Sequence, residues 1–327
     1  MKLSELFNGG GLERACPACQ SSNASQTFED FNRREGLKIV GTYVHCQECA
    51  TTYLNPIPNY QSLTSVYGDA LVDLSDAEIY ADGKVSAQPH QWHVSLVWRM
   101  AQSLHTYLKG RPHSEPLERG EGRTIFDFGC LAGDKLAEYY QRGWRVAGLD
   151  LNAKGIQRAK QAMPEGQFFC GDINDFEPEQ LFDVIRSDNV IEHLPDPKQV
   201  LTKLRGLLRP GGQFRVMVPN GKALSIHLFG KYSINYWIPF HLNLFNAASM
   251  KYLLEKSGFV DVRVRTFSPN NSLSWSLRQR LSAPGFARRE PRWTERLVLR
   301  CGLLFYPIEV LAGLAGLGEE LIAEARR

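Results

Sequence analysis

Two kinds of side chain in this sequence stand at spacings that do chemistry. Cys16-Pro-Ala-Cys19 and Cys46-Gln-Glu-Cys49 are two pairs of thiols, each pair interrupted by two residues. Each pair can wrap a metal ion in a tight turn, and four thiolates suit tetrahedral zinc. With all four ligands supplied by cysteine no coordination position stays open, so the predicted ion is structural rather than catalytic. The second kind is acidic. Asp127, Asp150 and Asp172 each close a short apolar run, Ile125-Phe-Asp, Val146-Ala-Gly-Leu-Asp and Phe168-Phe-Cys-Gly-Asp. Carboxylates at neighbouring strand ends can accept hydrogen bonds from ribose hydroxyls and from an adenine amino group. Gly129 and Gly133 follow the first acid, where backbone must approach a ligand and turn into a helix. A dinucleotide fingerprint would place glycine at 131 and 134; the chain has Leu131 and Asp134, which argues against hydride transfer.

Two histidines are candidate bases, imidazole being the side chain that titrates near neutral pH. His193 lies in Glu192-His-Leu-Pro-Asp-Pro, and His241 in Trp237-Ile-Pro-Phe-His-Leu-Asn-Leu-Phe. The segment 220–246 around His241 is rich in aromatics and long enough to cover an acceptor. We take His241 as the candidate base and His193 as its neighbour in catalysis, with packing or loop orientation as the competing role for each. Tyr67 and Tyr80 are further candidates for closing over a cofactor.

These residues need a frame, and the pattern around them supplies one. Strand-like runs at Thr124–Gly129, Arg145–Asp150, Phe168–Asp172, Asp183–Asn189, Gly212–Pro219 and Val260–Phe267 alternate with helix-like runs. The helix-like runs are Asp134–Arg142, Ala153–Met163, Pro197–Leu208 and Ala247–Lys256. Such alternation predicts an α/β fold, a Rossmann-like doubly wound sheet, here preceded by a small zinc-ribbon unit. In such sheets ligands bind beyond the carboxyl ends of the strands, where the three acids fall. No clear further strand is legible after Phe267. Val94, Val97, Trp98, Ala101, Leu104 and Leu108 recur at helical spacing before the sheet.

The order Asp127-x-Gly129-x-x-x-Gly133, strand-end Asp150, Gly171-Asp172, Glu192-His-Leu-Pro-Asp-Pro and Leu208-Arg-Pro-Gly-Gly resembles class I S-adenosylmethionine-dependent methyltransferases, from about residue 123 to 267. Leu131 departs from that pattern, which usually has glycine there. The two cysteine pairs with Thr51-Thr-Tyr-Leu-Asn-Pro-Ile-Pro resemble a bacterial subgroup with an N-terminal zinc ribbon, commonly tied to sugars, polysaccharides and secondary metabolites. The resemblance implies S-adenosylmethionine as methyl donor, held by Asp127, Gly129, Gly133, Asp150, Leu151, Asp172, Ile173 and Ser187. It implies O-methylation of a sugar hydroxyl, with a small-molecule or saccharide acceptor. Two alternatives stay open: an RNA methyltransferase using the ribbon as a clamp, and a cofactor-binding scaffold without activity. The domains expected are a ribbon at 1–58, a helical lid and linker at 59–120, the methyltransferase domain at 121–268 with its insertion at 220–246, and a helical extension at 269–327.

Composition narrows the partners. The formal net charge is +3, and the ribbon mixes Arg33, Arg34 and Lys38 with Glu29, Asp30, Glu35 and Glu48. That gives no basic stripe for nucleic acid. Arginines from Arg278 to Arg300 form a basic stretch that reads as a solvated helix face. Seven cysteines, an odd number, with no export signal favour metal over disulfides and a cytoplasmic location. The apolar stretch 297–317 carries Arg300, Pro307 and Glu309; it is a packed helix or a surface that meets a partner or a membrane.

Overall fold

The computed structural model describes residues 11–31, 40–59, 118–268, 272–281 and 305–327. The helical face at 94–108, Tyr67, Tyr80, the arginines from 288 to 300 and residues 297–304 lie outside the described residues. The chain groups into two units, residues 64–177 and residues 1–63 with 178–327. Their elements are those of the α/β, Rossmann-like class that the alternation predicts.

In the first unit, strands β4 (Thr124–Phe128), β5 (Arg145–Asp150) and β6 (Gln167–Cys170) pair in parallel, β5 in the middle. All five residues of β4 are buried, as expected of a parallel strand covered on both faces. Helix α1 (Asp134–Tyr140) follows β4 and α2 (Ala153–Ala162) follows β5. Asn152 caps α2 by accepting a hydrogen bond from the Gly155 amide, and Ile156 and Ala159 turn inward.

In the second unit, β1 (Ala24–Phe31), β2 (Val40–Cys46) and β3 (Thr52–Leu54) form an antiparallel sheet around the cysteine pairs. Its fourth strand is β9 (Asn243–Leu244), contributed by the segment that follows the main-sheet strand β8. The main sheet of this unit runs β7 (Phe182–Asp188), β8 (Leu208–Pro219), β11 (Glu320–Arg326) and β10 (Val260–Phe267). Only β7 and β8 are parallel; β11 is antiparallel to both neighbours. Between these strands come α3 (Pro197–Leu207), α4 (Leu224–Phe229), α5 (Ala247–Lys256) and α6 (Ser272–Leu281).

Strand β11 corrects the expectation of a wholly helical C-terminal extension. Its sequence, Glu-Leu-Ile-Ala-Glu-Ala-Arg, is made mostly of residues that favour helices. Pairing on both edges and burial of Leu321, Ile322, Ala323 and Ala325 override that preference. The apolar stretch before it is helical over residues 305–314 and exposes Ile308, Leu311 and Leu314. No helix among the described residues is long and apolar enough to cross a membrane.

Candidate functional site

The strand ends of the 64–177 unit carry the predicted cofactor residues. The loop after β4 places Gly129, Leu131 and Gly133 in the left-handed region, at φ 85°, 48° and 77°. Leucine at 131 therefore occupies a conformation that favours glycine. The loop is held by Asp150: Leu131 N–H donates to one carboxylate oxygen and Asn152 N–H to the other, both at 2.8 Å. Gly148 lets the loop pack close, since a Cβ there would meet Cys130 Sγ at 2.6 Å. Asp127 is buried on β4, and burial pushes the Asp150 carboxyl above the usual range against its two amide bonds. Asp172 accepts from the Asn174 amide at 2.8 Å and so caps the short turn at Ile173–Asp175, of which Ile173 is buried. Leu151 is half-buried, and its carbonyl accepts from the Cys170 thiol.

Three carboxylates, two on parallel strands β4 and β5 and one just beyond β6, with a loop of left-handed residues, fit S-adenosylmethionine. Asp150 would take the ribose hydroxyls with the lone pairs its amide bonds leave, and Asp172 the adenine, with Gly129 and Gly133 beside the methionine portion. Ser187 belongs to the other unit, on β7. It is fully buried, and its hydroxyl makes no hydrogen bond.

The four cysteines come together in the unit that contains the ribbon. Sγ of Cys16 is 3.5 Å from that of Cys49, Cys19 and Cys46 are equally close, and all four sulfurs lie within 4.8 Å of one another. Tetrahedral zinc with bonds of about 2.3 Å would space sulfurs at about 3.8 Å, so the group is compatible with that ion. The two knuckles repeat one geometry. Gln20 N–H donates to Cys16 O and Ala50 N–H to Cys46 O, and both Gln20 and Ala50 are left-handed. The thiols do not share protons evenly: hydrogen bonds from Cys16 and Thr51 pull Cys49 down, while its bond to Cys49 and burial push Cys16 up.

The ribbon then builds the surroundings of the two histidines. Tyr43 on β2 donates from its hydroxyl to His241 O at 2.8 Å. Arg14 donates to the carbonyls of Leu54, Pro195 and Leu242, and its burial lowers its pKa to about 10. Asn246, the cap of α5, also donates its amide to Cys49 O and Ala50 O. Asn243 on β9 donates to Leu194 O and Glu192 O.

Inside this scaffold His193 and His241 stand with ring centroids 5.0 Å apart, and Trp237 packs edge-on against both. His193 Nδ1 lies 2.8 Å from Phe240 O, and His241 Nδ1 2.8 Å from Asn235 O. A carbonyl only accepts, so each Nδ1 carries the proton and each Nε2 is the basic nitrogen. Glu192, which sequence reasoning named only as part of a motif, joins them: its Oε1 is 3.7 Å from His193 Nε2. Glu192 is 0% exposed, and neither carboxylate oxygen accepts a hydrogen bond. Burial pushes its carboxyl well above the usual range. Behind His241, Asn235 donates its amide to Glu319, which also accepts from Ser225 N and Oγ. The only sequence signal for Glu192 was its place beside His193.

The sequence matches the family described as methyltransferase domain over residues 100–264, half of the chain. The chain belongs to that family. The class I S-adenosylmethionine-dependent methyltransferase pattern read from its motifs is thereby established. The chain is 33% identical over 140 residues to trans-aconitate 2-methyltransferase of Shigella flexneri serotype 5b (strain 8401), covering 40% of this chain and 54% of that protein. It is 32% identical over 143 residues to the protein of the same name from Escherichia coli (strain SE11), covering 42% and 54%. The chain thus spans about half the length of these curated relatives. Among solved structures it is similar to magnesium protoporphyrin IX methyltransferase from Synechocystis PCC 6803 with bound SAH, at 16% identity and TM-score 0.47, covering 82% of this chain and 100% of that one. A second, the S-adenosylmethionine-dependent methyltransferase from Mesorhizobium loti, aligns at 18% identity and TM-score 0.45, covering 67% and 100%.

Proposed function

We propose that this methyltransferase methylates a hydroxyl oxygen of a small acceptor, with His241 as the base and His193 beside it. When bound, S-adenosylmethionine supplies a methyl group on a sulfonium, already activated for displacement. The protein's task is then alignment and removal of the acceptor proton. The observation that carries this reading is the pair of Nδ1–carbonyl bonds, which fix both imidazoles in the tautomer whose Nε2 accepts a proton. A carboxylate acceptor is already ionised at neutral pH and would use no base; a hydroxyl uses one. A sugar hydroxyl remains our first choice of acceptor, and trans-aconitate, for which the curated relatives are named, is the control acid. We place the cofactor on Asp127, Gly129, Gly133, Asp150, Leu151, Asp172, Ile173 and Ser187, and structural zinc on Cys16, Cys19, Cys46 and Cys49.

The RNA reading has little to stand on among the described residues. Arg278 stacks over Trp275 and Arg280 over Tyr232, so both are used within the chain. The test is transfer of labelled methyl into separated carbohydrate, small-metabolite and RNA fractions. We expect label in the carbohydrate or metabolite fraction. His241→Ala should lower turnover about 100-fold or more while leaving affinity for the methyl donor unchanged. Wild-type turnover in that variant would remove His241 as the base, and label confined to RNA would overturn the acceptor class.

A further inference from the structure

The cluster at the proposed acceptor site has more ligating capacity than a base requires. We propose that Glu192, His193 and His241 form a binding site for a divalent transition-metal cation, separate from the four cysteines. One ligating atom from each residue lies within 4.8 Å of the other two. A cation with bonds of about 2.1 Å holds adjacent ligands about 3 Å apart, so the three atoms would close by roughly 1 to 2 Å, within reach of side-chain rotation.

Two further observations point the same way. The Glu192 carboxylate is fully buried and accepts no hydrogen bond, which is costly for an anion unless a cation joins it. Each histidine turns Nδ1–H onto a backbone carbonyl, the arrangement by which proteins orient imidazoles that ligate metal through Nε2. Two imidazoles and one carboxylate suit Mn²⁺, Fe²⁺, Co²⁺ or Zn²⁺ and leave coordination positions open. The four thiolates, in contrast, suit zinc and close the shell.

The proposal rests on the reading above for what the cation would do, and not for its binding. A hydroxyl that such a cation coordinated would release its proton to water more readily, so His241 is a ligand when the cation is bound and the base when it is not. Manganese is the probe, because it prefers nitrogen and oxygen ligands and leaves thiolates to zinc. The full chain carrying one zinc per molecule is titrated with Mn²⁺ and followed by electron paramagnetic resonance. We expect one saturable site, with spin coupling to imidazole nitrogen. Glu192→Gln should weaken Mn²⁺ binding tenfold or more. Equal binding by wild type and Glu192→Gln, or a bound ion without nitrogen coupling, overturns the site. If the variant does not fold, nitrogen coupling in the wild type decides alone. Methyl transfer is measured on the same samples. Transfer that proceeds unchanged with no cation bound removes the cation from the reaction and leaves the function standing, while the Mn²⁺ titration alone decides the site. A bound cation without transfer to any fraction sinks the function and leaves the site standing.

Discussion

The cofactor residues and the acceptor residues are built in opposite ways. In the 64–177 unit the chemistry lies in short stretches that hold themselves. Asp150 reaches Leu131, 19 residues away, and Asn152, two away. Asp172 caps the turn that it begins. In the other unit almost every clasp on the histidines is distant. Tyr43 holds His241 O across 198 residues, Asn243 holds Leu194 across 49, and Arg14 spans 181 to Pro195 and 228 to Leu242. A self-contained loop can keep its motif wherever the sheet is kept. A site assembled from distant segments exists only when the ribbon, the insertion and β11 are all in place. Substitutions should therefore separate the two functions.

The largest separation is expected from Asp150→Ala. It removes one bond to the loop, one to Asn152 at the cap of α2, and the group proposed for the ribose. A hydrogen bond to a charged group contributes about 1.5–3 kcal/mol, so affinity for S-adenosylhomocysteine should fall roughly tenfold to 150-fold by calorimetry. Mn²⁺ binding at Glu192, His193 and His241 should stay as in wild type. Unchanged nucleoside affinity would undo the cofactor assignment, and parallel loss of Mn²⁺ would show that the two sites are not independent.

A smaller effect in the opposite sense is expected from Tyr43→Phe. The variant keeps the ring contacts with Phe28 and Tyr236 and loses the bond to His241 O. A net contribution of about 1 kcal/mol corresponds to roughly fivefold, which should appear in kcat. KM for the methyl donor should not move. A rise in that KM with kcat preserved would mean that the ribbon serves the cofactor and not the acceptor.

The same contrast explains what could be read from the chain beforehand. The alternation, the cysteine pairs and the strand-end acids are contiguous patterns, so the fold class was legible and the cofactor residues could be proposed. Leu131 looked like a defect. The structure makes it a leucine in a left-handed conformation whose amide still reaches Asp150. Glu192 was hidden because the burial of a carboxylate has no sequence signature. Tyr43, Arg14 and Asn243 were hidden because their partners lie far along the chain. Strand β11 was hidden because its residues prefer helix and only pairing on both edges makes them extended.

Glu319, just before β11, joins these distant pieces and gives the smallest and most specific test. It accepts from Ser225 N and Oγ and from the Asn235 amide, and the Asn235 carbonyl orients His241. Burial, with Glu309 adding to it, raises the Glu319 carboxyl to about 7 despite the bonds from Ser225 and Asn235. The folded chain thus binds this proton more tightly than the unfolded chain, whose glutamate titrates near its ordinary value. The stability tied to that proton is fully present below about pH 4.5 and is lost as pH rises through about 7, on the order of 3 kcal/mol in all. Wild-type Tm should accordingly fall between about pH 5 and pH 8. Glu319→Gln stays neutral and should flatten that fall by a few degrees, measured as the difference between the two Tm–pH curves. Curves that run parallel across this window would mean that Glu319 is ionised in the folded chain. The link from β11 to His241 would then be an anion held by Ser225 and Asn235, and turnover of the glutamine variant would drop at every pH.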